Sequence, residues 1–400
     1  MIIQSKVSRR TAALFTASSL AAFLLAAAPA EGASAAAPSL APAAAPSTAQ
    51  KVPVQSVLTL EHAGFQENGA TYVPLKDLSS SLDLQLLWNP GKSSLEVTGL
   101  YQAVSLKVGQ PKAYTAAGKT IMLGAETLVR NGVTYVPDKL FSKAFGLPLA
   151  WEGGNRFSVA YTPKYMMTSA GRELFWLNRE HGVLYSGQSG SVPLRAGVIR
   201  VADLDWASMS ARRINSASYA VEIENASGEP HINNTRWRAL VSGGSLVRQA
   251  KTHYWNPRML GMKRDVFAFQ GNVVMVDGQT VMLVNPDGHI YKTYNLLELT
   301  GINDAFAVEA VDSDFLLVRP FQKGTLILID RRSGQTVELY KQLISAADQA
   351  WLKAYPDTEI DYPGDKLAYT GRSGDLLSFE WTSFTEGQKI HFTYMLSPLS

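Results

Sequence analysis

Over most of this 400-residue chain, apolar positions alternate with polar ones at a period of two, which predicts β-strands that each bury one face. Two stretches, within residues 75–82 and 140–145, instead carry apolar residues at helical spacing. Each stretch is followed by an alternating segment that ends in tryptophan, and we expect Trp88 and Trp151 to lie in a core. The pattern predicts a small α+β region over residues 53–161.

The α+β region contains an internal repeat, with NGATYVPLKDLSSSLDLQLLW at residues 68–88 and NGVTYVPDKLFSKAFGLPLAW at residues 131–151. Asn-Gly suits a turn at positive φ, Thr-Tyr-Val suits a strand, and proline ends strand pairing and begins a helix. We therefore predict two β-α-β-β copies with additional hairpin strands. The structural motif consists of Asn68, Gly69, Tyr72, Val73, Pro74 and Trp88 in the first copy, and Asn131, Gly132, Tyr135, Val136, Pro137 and Trp151 in the second.

The two copies resemble the copper amine oxidase N-terminal-like domain, a stalk module of exported proteins from spore-forming Gram-positive bacteria. The family pattern NG-x-x-YVPLR is matched at residues 68–75 and 131–137, with Lys76 and Lys139 in place of the usual arginine. The resemblance covers residues 53–161 and implies a non-catalytic stalk. It implies neither copper nor amine oxidation, because the chain lacks both an Asn-Tyr-Asp/Glu quinone precursor and a His-x-His pair.

Residues 170–400 predict an all-β domain, because strand–turn–strand units with Gly or Asp in the turn recur along them. Clear examples are residues 273–284 and 325–340, and residues 346–354 predict one short helix between strands. At roughly 40–45 residues per blade, we expect a β-propeller of about five or six blades. A β-sandwich is the alternative fold.

The pattern of the first 52 residues predicts a targeting segment followed by a tether to the folded part of the chain. Lys6, Arg9 and Arg10 precede an apolar run over residues 12–28 and small-residue cleavage sites, which predicts a signal peptide over residues 1–35. Residues 36–52, rich in Ala, Pro and Ser, predict an extended linker. We expect an exported protein, extracellular or cell-wall associated, with no transmembrane span after signal cleavage.

Composition narrows the chemistry. Cleavage after Ala30 would remove Lys6, Arg9 and Arg10 and no acidic residue, so the formal net charge of +3 would fall to zero, and no global charge would favour binding to nucleic acid. The chain has no cysteine, which excludes disulfides, thiolate catalysis and cysteine-ligated zinc.

We predict no catalytic, cofactor-binding or metal-binding residues and no cofactor. His62, His181, His231, His253, His289 and His391 are scattered without zinc-ligand spacing. The acidic pairs Asp203/Asp205 and Glu222/Glu224 would each share a strand face, as a glycosidase pair can, but surface acids are far commoner. Five tryptophans could either stack on sugar rings or pack in a core, and core packing is the favoured role. These residues are Trp206, Trp237, Trp255, Trp351 and Trp381.

These observations favour an exported non-catalytic protein. In this interpretation a stalk or adhesion module presents a β-rich domain that binds a cell-wall polymer, a glycan or another envelope protein. Two alternatives stay open: a glycan-active enzyme on a propeller scaffold, and a purely structural surface protein.

Overall fold

The structure, a computed structural model, describes residues 56–229, 233–255, 265–355, 357 and 362–396. The predicted signal peptide and linker, together with His231, lie outside these residues. The described residues belong to one compact unit. In the described part of the chain, no helix is long and apolar enough to cross a membrane.

The repeat region, here called the N-terminal module (residues 56–161), consists of twelve described strands and short helical turns. Its strands are β1 (Ser56–Thr59), β2 (Phe65–Glu67), β3 (Ala70–Pro74), β4 (Gln85–Asn89), β5 (Ser94–Thr98), β6 (Ala103–Leu106), β7 (Lys112–Thr115), β8 (Thr120–Met122), β9 (Leu128–Arg130), β10 (Val133–Pro137), β11 (Leu149–Gly153) and β12 (Arg156–Val159). Its helical segments are α1 (Leu75–Ser79), 3₁₀ turns at Ser80–Leu82 and Pro90–Lys92, and a π-helical turn at Phe141–Phe145.

The two copies of the repeat meet through their matching strands. Strands β3 and β10 pair antiparallel with Val73 opposite Val136, so a local pseudo-two-fold axis passes between these two buried side chains. Hairpins β2–β3 and β9–β10 flank this pair, giving a sheet of order β2-β3-β10-β9. The Asn-Gly turns adopt positive φ, at +50° and +75° in the first copy and +50° and +79° in the second, as predicted.

After the shared sheet, each copy continues into a helical turn and a strand hairpin. The first copy leads into the sheet β4-β5-β6-β7-β8, which supplies the additional hairpin strands, and the second into the sheet β1-β12-β11. The helical turns face one shared core, because Leu75, Leu78 and Leu82 from the first copy and Leu140 and Phe141 from the second are all buried there.

The expectation of a core tryptophan at the end of each copy is wrong for Trp88. This side chain is 52% exposed, because β4 is the edge strand of its sheet and Trp88 lies beside the turn at Pro90–Lys92. Its counterpart Trp151 packs partly buried against the module core, and its indole N–H donates to the Gly154 carbonyl at 3.0 Å.

The C-terminal region is mostly β and forms five successive antiparallel sheets in its described residues. Their strands are, for the first sheet, β13 (Tyr165–Ala170), β14 (Glu173–Asn178), β15 (Val183–Gln188) and β16 (Leu194–Val198); for the second, β17 (Trp206–Arg213), β18 (Ser218–Ser227), β19 (Asn233–Ser242) and β20 (Ser245–Trp255); for the third, β21 (Ala268–Phe269), β22 (Asn272–Asp277), β23 (Thr280–Val284) and β24 (Ile290–Asn295); for the fourth, β25 (Phe306–Val311), β26 (Phe315–Pro320), β27 (Ile327–Asp330) and β28 (Thr336–Glu338); and for the fifth, β29 (Ala368–Ser373), β30 (Leu376–Thr382) and β31 (Lys389–Met395). Within each sheet the strands follow chain order.

Three short helices accompany these sheets: α2 (Leu296–Thr300), α3 (Tyr340–Leu343) and α4 (Ala346–Ala354). The helix predicted over residues 346–354 is therefore confirmed as α4. The strand–turn–strand units predicted at residues 273–284 and 325–340 are confirmed as β22–β23 and β27–β28.

Neighbouring C-terminal sheets share cores, and alternate residues of one strand serve opposite faces. In β14, Phe175 and Leu177 pack towards the second sheet, whereas Leu174 and Trp176 pack towards Leu100 of the N-terminal module. The second and third sheets, the third and fourth, and the fourth and fifth share cores in the same way. The outer face of the fifth sheet is more open, since Met395 is 64% exposed.

A buried arginine joins the fourth and fifth sheets. The Arg319 guanidinium donates to the Glu309 carboxylate at 2.5 Å, to the Asp365 carboxylate, and to the Leu367 carbonyl at 2.7 Å. Asp365 also accepts the Leu326 backbone N–H at 2.6 Å. Because both carboxylates are almost fully enclosed, removing the arginine leaves two buried negative charges without their partner.

We predict that Arg319→Met lowers the free energy of unfolding by about 3–5 kcal/mol, the usual cost of breaking a buried ion pair from one side. The matched control is Lys389→Met, which removes an exposed partner of Glu380 and should cost less than about 1 kcal/mol. Urea unfolding of both variants checks this, and equal losses would contradict the role assigned to Arg319.

Candidate functional site

The N-terminal module is docked directly on the first C-terminal sheet. The indole N–H of the fully buried Trp176 donates to the Asp83 carbonyl at 2.9 Å, and Leu100 packs on the same indole. The Gly190 backbone N–H donates to the Thr98 hydroxyl at 3.0 Å. The two parts of the chain therefore meet through packing and specific hydrogen bonds.

An ion pair completes this docking. The buried Glu96 carboxylate accepts from the Asn89 amide at 2.6 Å and from the Arg172 guanidinium at 2.5 Å. Gly190 is at φ +83°, and a Cβ there would lie 3.0 Å from Glu96 Cδ, so glycine permits the close approach. Burial acts to raise the pKa of Glu96, but the hydrogen bonds from Asn89 and Arg172 outweigh it and hold that pKa below its ordinary value.

Asp83 lies at the centre of the junction. It follows the 3₁₀ turn at Ser80–Leu82 with φ +55°, and it is 3% exposed. Its Oδ2 accepts from the Tyr161 hydroxyl at 2.7 Å and from the Lys164 backbone N–H at 2.8 Å. Its Oδ1 is buried and has no hydrogen-bond partner among the described residues, a state that is costly and uncommon for a carboxylate.

Beside Asp83 lies a pocket of about 370 Å³, here called the junction pocket, with a volume typical of small-ligand sites. Leucines and four aromatic rings form most of its wall, and Asp83 and Gln102 are its two acidic or amide side chains. Among its lining residues, all in the described part of the chain, none is lysine or arginine. Its aromatic residues are Tyr101, Phe145, Tyr161 and Tyr165.

The tyrosines of the pocket differ in exposure. Tyr101 is 84% exposed and stands at the rim. Burial, followed by the hydrogen bond to Asp83, raises the pKa of Tyr161 well above its ordinary value, and burial also raises the pKa of Tyr165. Both phenols are therefore neutral at physiological pH. The pocket wall is thus aromatic and apolar with one acidic side chain.

The structure also brings Glu61, His62 and Asp77 together, with candidate ligand atoms within 4.8 Å of one another. The Asp77 carboxylate already accepts from the His62 backbone N–H at 2.8 Å and lies 2.9 Å from His62 Nδ1. These bonds tie the segment after β1 to α1. The spacing of the histidines did not reveal this cluster, because its members meet only after folding.

The structure places the two acidic pairs of the sequence in different surroundings. Glu222 is paired with Arg238 at 2.5 Å, and Glu224 is paired with Arg236 at 3.3 Å. Asp203 and Asp205 lie exposed before β17. The two pairs therefore belong to an ion-pair network and to a surface loop.

The candidate tryptophans divide into buried and exposed groups. Trp237 and Trp381 are each 2% exposed, and Trp351 stacks on Phe384 with ring centroids 4.5 Å apart. The favoured expectation of core packing is wrong for Trp206 and Trp255, which are 69% and 41% exposed because they lie at the ends of the long strands of the second sheet.

Sequence analysis missed the junction pocket because four separate segments build it, around residues 82–84, 99–102, 144–147 and 161–165. One signal could have found Asp83. The 63-residue offset aligns it with Gly146, which has φ +68°. One copy thus places glycine at this left-handed position, and the other places a carboxylate there at a conformational cost.

Comparison with known proteins supports the N-terminal assignment. Residues 54–159 match the copper amine oxidase N-terminal domain. The match confirms the resemblance predicted over residues 53–161. No curated protein matches the chain.

Among solved structures, the chain is similar to a protein of unknown function from Bacteroides caccae, at 12% identity over 70% of this chain and 82% of that one, with a TM-score of 0.21. It is also similar to a chain in a nidogen/laminin complex, at 12% identity over 70% of this chain and 94% of that one, with a TM-score of 0.21. At such TM-scores neither likeness carries an argument about fold or function.

We predict that Glu96→Gln makes stability less dependent on pH. Because the folded-state pKa of Glu96 is lowered, its stabilising effect is full above the unfolded-state value near 4.3 and is lost as the pH falls through the folded value. Urea midpoints measured from pH 7 to pH 3 should fall more steeply for the wild type than for Glu96→Gln. Glu180→Gln, at an exposed position of the first sheet region, should follow the wild type. Parallel curves for all three proteins would contradict the role of Glu96.

Proposed function

We propose that this protein is an exported, non-enzymatic binding protein of the cell envelope of a Gram-positive bacterium. In this proposal the N-terminal module is a docked stalk, and the ligand binds in the junction pocket. The observation that carries the proposal is the pocket itself, since the module and Tyr165 of the first C-terminal sheet line it with four aromatic rings beside one buried acid. Such a wall is typical of ligand sites.

Three further observations support the proposal. Residues 54–159 match the copper amine oxidase N-terminal domain, and the sequence resemblance to that family implies a non-catalytic stalk module. Residues 1–35 have the basic start, apolar run and small-residue cleavage sites of a secretory signal. The two acidic pairs singled out in the sequence are engaged in ion pairs or lie in a surface loop. Fold alone does not decide function, so the junction pocket remains the principal argument.

We also propose that the five C-terminal sheets are the blades of a propeller-like array. Their strands follow chain order, as in propeller blades, and each inner sheet shares cores with two neighbours. A two-sheet sandwich would give each sheet a single partner. In this arrangement the N-terminal module lies beside the first blade and covers the face that is turned away from the second.

We expect the mature protein, residues 36–400, to pellet saturably with purified Gram-positive cell walls. Tyr101→Ala should weaken this binding by about five- to tenfold, since truncating an aromatic anchor commonly costs more than 1 kcal/mol. Tyr291→Ala is the matched control, because Tyr291 is 63% exposed on the third sheet, outside the junction pocket.

Two results would contradict the proposal. Absence of saturable pelleting would remove the cell wall as the partner. Equal binding by the two tyrosine variants would move the binding surface away from the junction pocket.

A further inference from the structure

We propose that the junction pocket binds an organic cation of the alkylammonium class, because it places beside four aromatic rings a buried carboxylate that has no basic partner among the described residues. The inference rests on the proposed binding function and names the chemistry of the ligand.

The aromatic wall suits a cation with alkyl groups. An ammonium group over the faces of several rings is attracted by their quadrupoles, and quaternary ammonium groups are recognised by such rings. Tyr101 at the rim, with Tyr161, Tyr165 and Phe145, supplies the rings. Leucine side chains between them offer apolar contact to the alkyl groups.

Among the lining residues of the pocket, all of them described, Asp83 is acidic and none is basic. Asp83 is held only by neutral donors, namely the Tyr161 hydroxyl and the Lys164 backbone N–H, and Oδ1 has none in the described part of the chain. No lining residue is basic. A buried negative charge without a counter-ion is unfavourable, and a cation bound close to it would compensate that charge.

The backbone at Asp83 supports a role other than folding. Its φ of +55° lies in the left-handed region, where the second copy of the repeat carries Gly146. Glycine adopts this conformation without strain, whereas aspartate does so at a cost. The first copy therefore carries a strained, incompletely bonded acid where its counterpart has a relaxed residue without a side chain.

A neutral sugar fits this wall less well. Sugar recognition needs several polar groups to satisfy hydroxyls, because a buried hydroxyl without a partner is costly. The wall offers the Gln102 amide and the tyrosine hydroxyls, and the Tyr161 hydroxyl already donates to Asp83. The remaining wall is mainly carbon, which favours the cation.

The test uses the full mature protein, residues 36–400, and isothermal titration with three small probes. Choline is the cation, 3,3-dimethylbutan-1-ol is its uncharged analogue of similar shape, and N-acetylglucosamine represents sugars. We expect choline to bind about five- to thirtyfold more tightly than the uncharged analogue, the range expected for a partly desolvated cation among aromatic rings. N-acetylglucosamine should bind more weakly than choline.

Two variants and one control sharpen this test. Asp83→Asn keeps a side chain that tolerates positive φ and an acceptor for Tyr161, but it removes the charge, so it should abolish the preference for choline over the analogue. Tyr101→Ala, at an exposed position, should weaken choline binding by at least about threefold. Tyr291→Ala should leave it unchanged, and thermal melting confirms that each variant is folded.

The outcomes separate this inference from the proposed function. Equal affinity for choline and its analogue, or an unchanged preference in folded Asp83→Asn, overturns the cation inference. Binding of N-acetylglucosamine alone, lost in Tyr101→Ala, also overturns it but retains the junction pocket as a binding site. If no probe binds while Tyr101-dependent pelleting with cell walls persists, the cation inference fails and the proposed function stands. If neither occurs, both fail.

Discussion

The packing of Leu100 against Trp176, with the hydrogen bond from that indole to the Asp83 carbonyl, holds the N-terminal module on the first C-terminal sheet. β14 has apolar residues on both faces, so the face turned away from the second sheet needs a cover, and the module supplies it. The Glu96–Arg172 ion pair helps to fix the relative orientation of the two surfaces in this apolar contact. The junction pocket lies at this contact, since the N-terminal module lines it together with Tyr165 at the start of β13.

The need to cover apolar residues on both faces of a sheet also explains why the sheets in the described part of the C-terminal region pack one on the next. Each inner sheet buries both faces, and polar groups are enclosed where they link neighbouring sheets, as Arg319 does between the fourth and fifth. The outer face of the fifth sheet, the last of the series, is more polar and more exposed. β31 presents Lys389 and His391 beside Glu380 of β30, and Met395 is exposed at the other end of β31. Arrays of packed repeats commonly end in such a polar outer face.

The parts of the fold that depend on local patterns were predictable from the sequence. Asn-Gly specified both positive-φ turns, the repeated proline ended both strands, and α4 has the bounds expected from its pattern. The exposed tryptophans were not predictable, because alternation shows which face a residue takes and not whether its strand lies at an edge. Trp88 is exposed on the edge strand β4 for this reason.

The candidate site was predictable only in part. Its residues come from four segments that meet only after folding, so no spacing along the chain indicates the pocket. The repeat nevertheless contained one relevant signal, the exchange of Gly146 for Asp83 at equivalent left-handed positions. The two positions share a left-handed backbone but differ in side chain, and this difference is visible only when the two copies are compared.

Hydrogen exchange of the mature protein with and without choline tests the central claim most directly, because it reports where a ligand acts. The account predicts slower exchange confined to the segments that line the junction pocket, around residues 82–84, 99–102, 144–147 and 161–165, with the third to fifth sheets unchanged. Protection confined to the third to fifth sheets, or no protection at saturating choline, would contradict it.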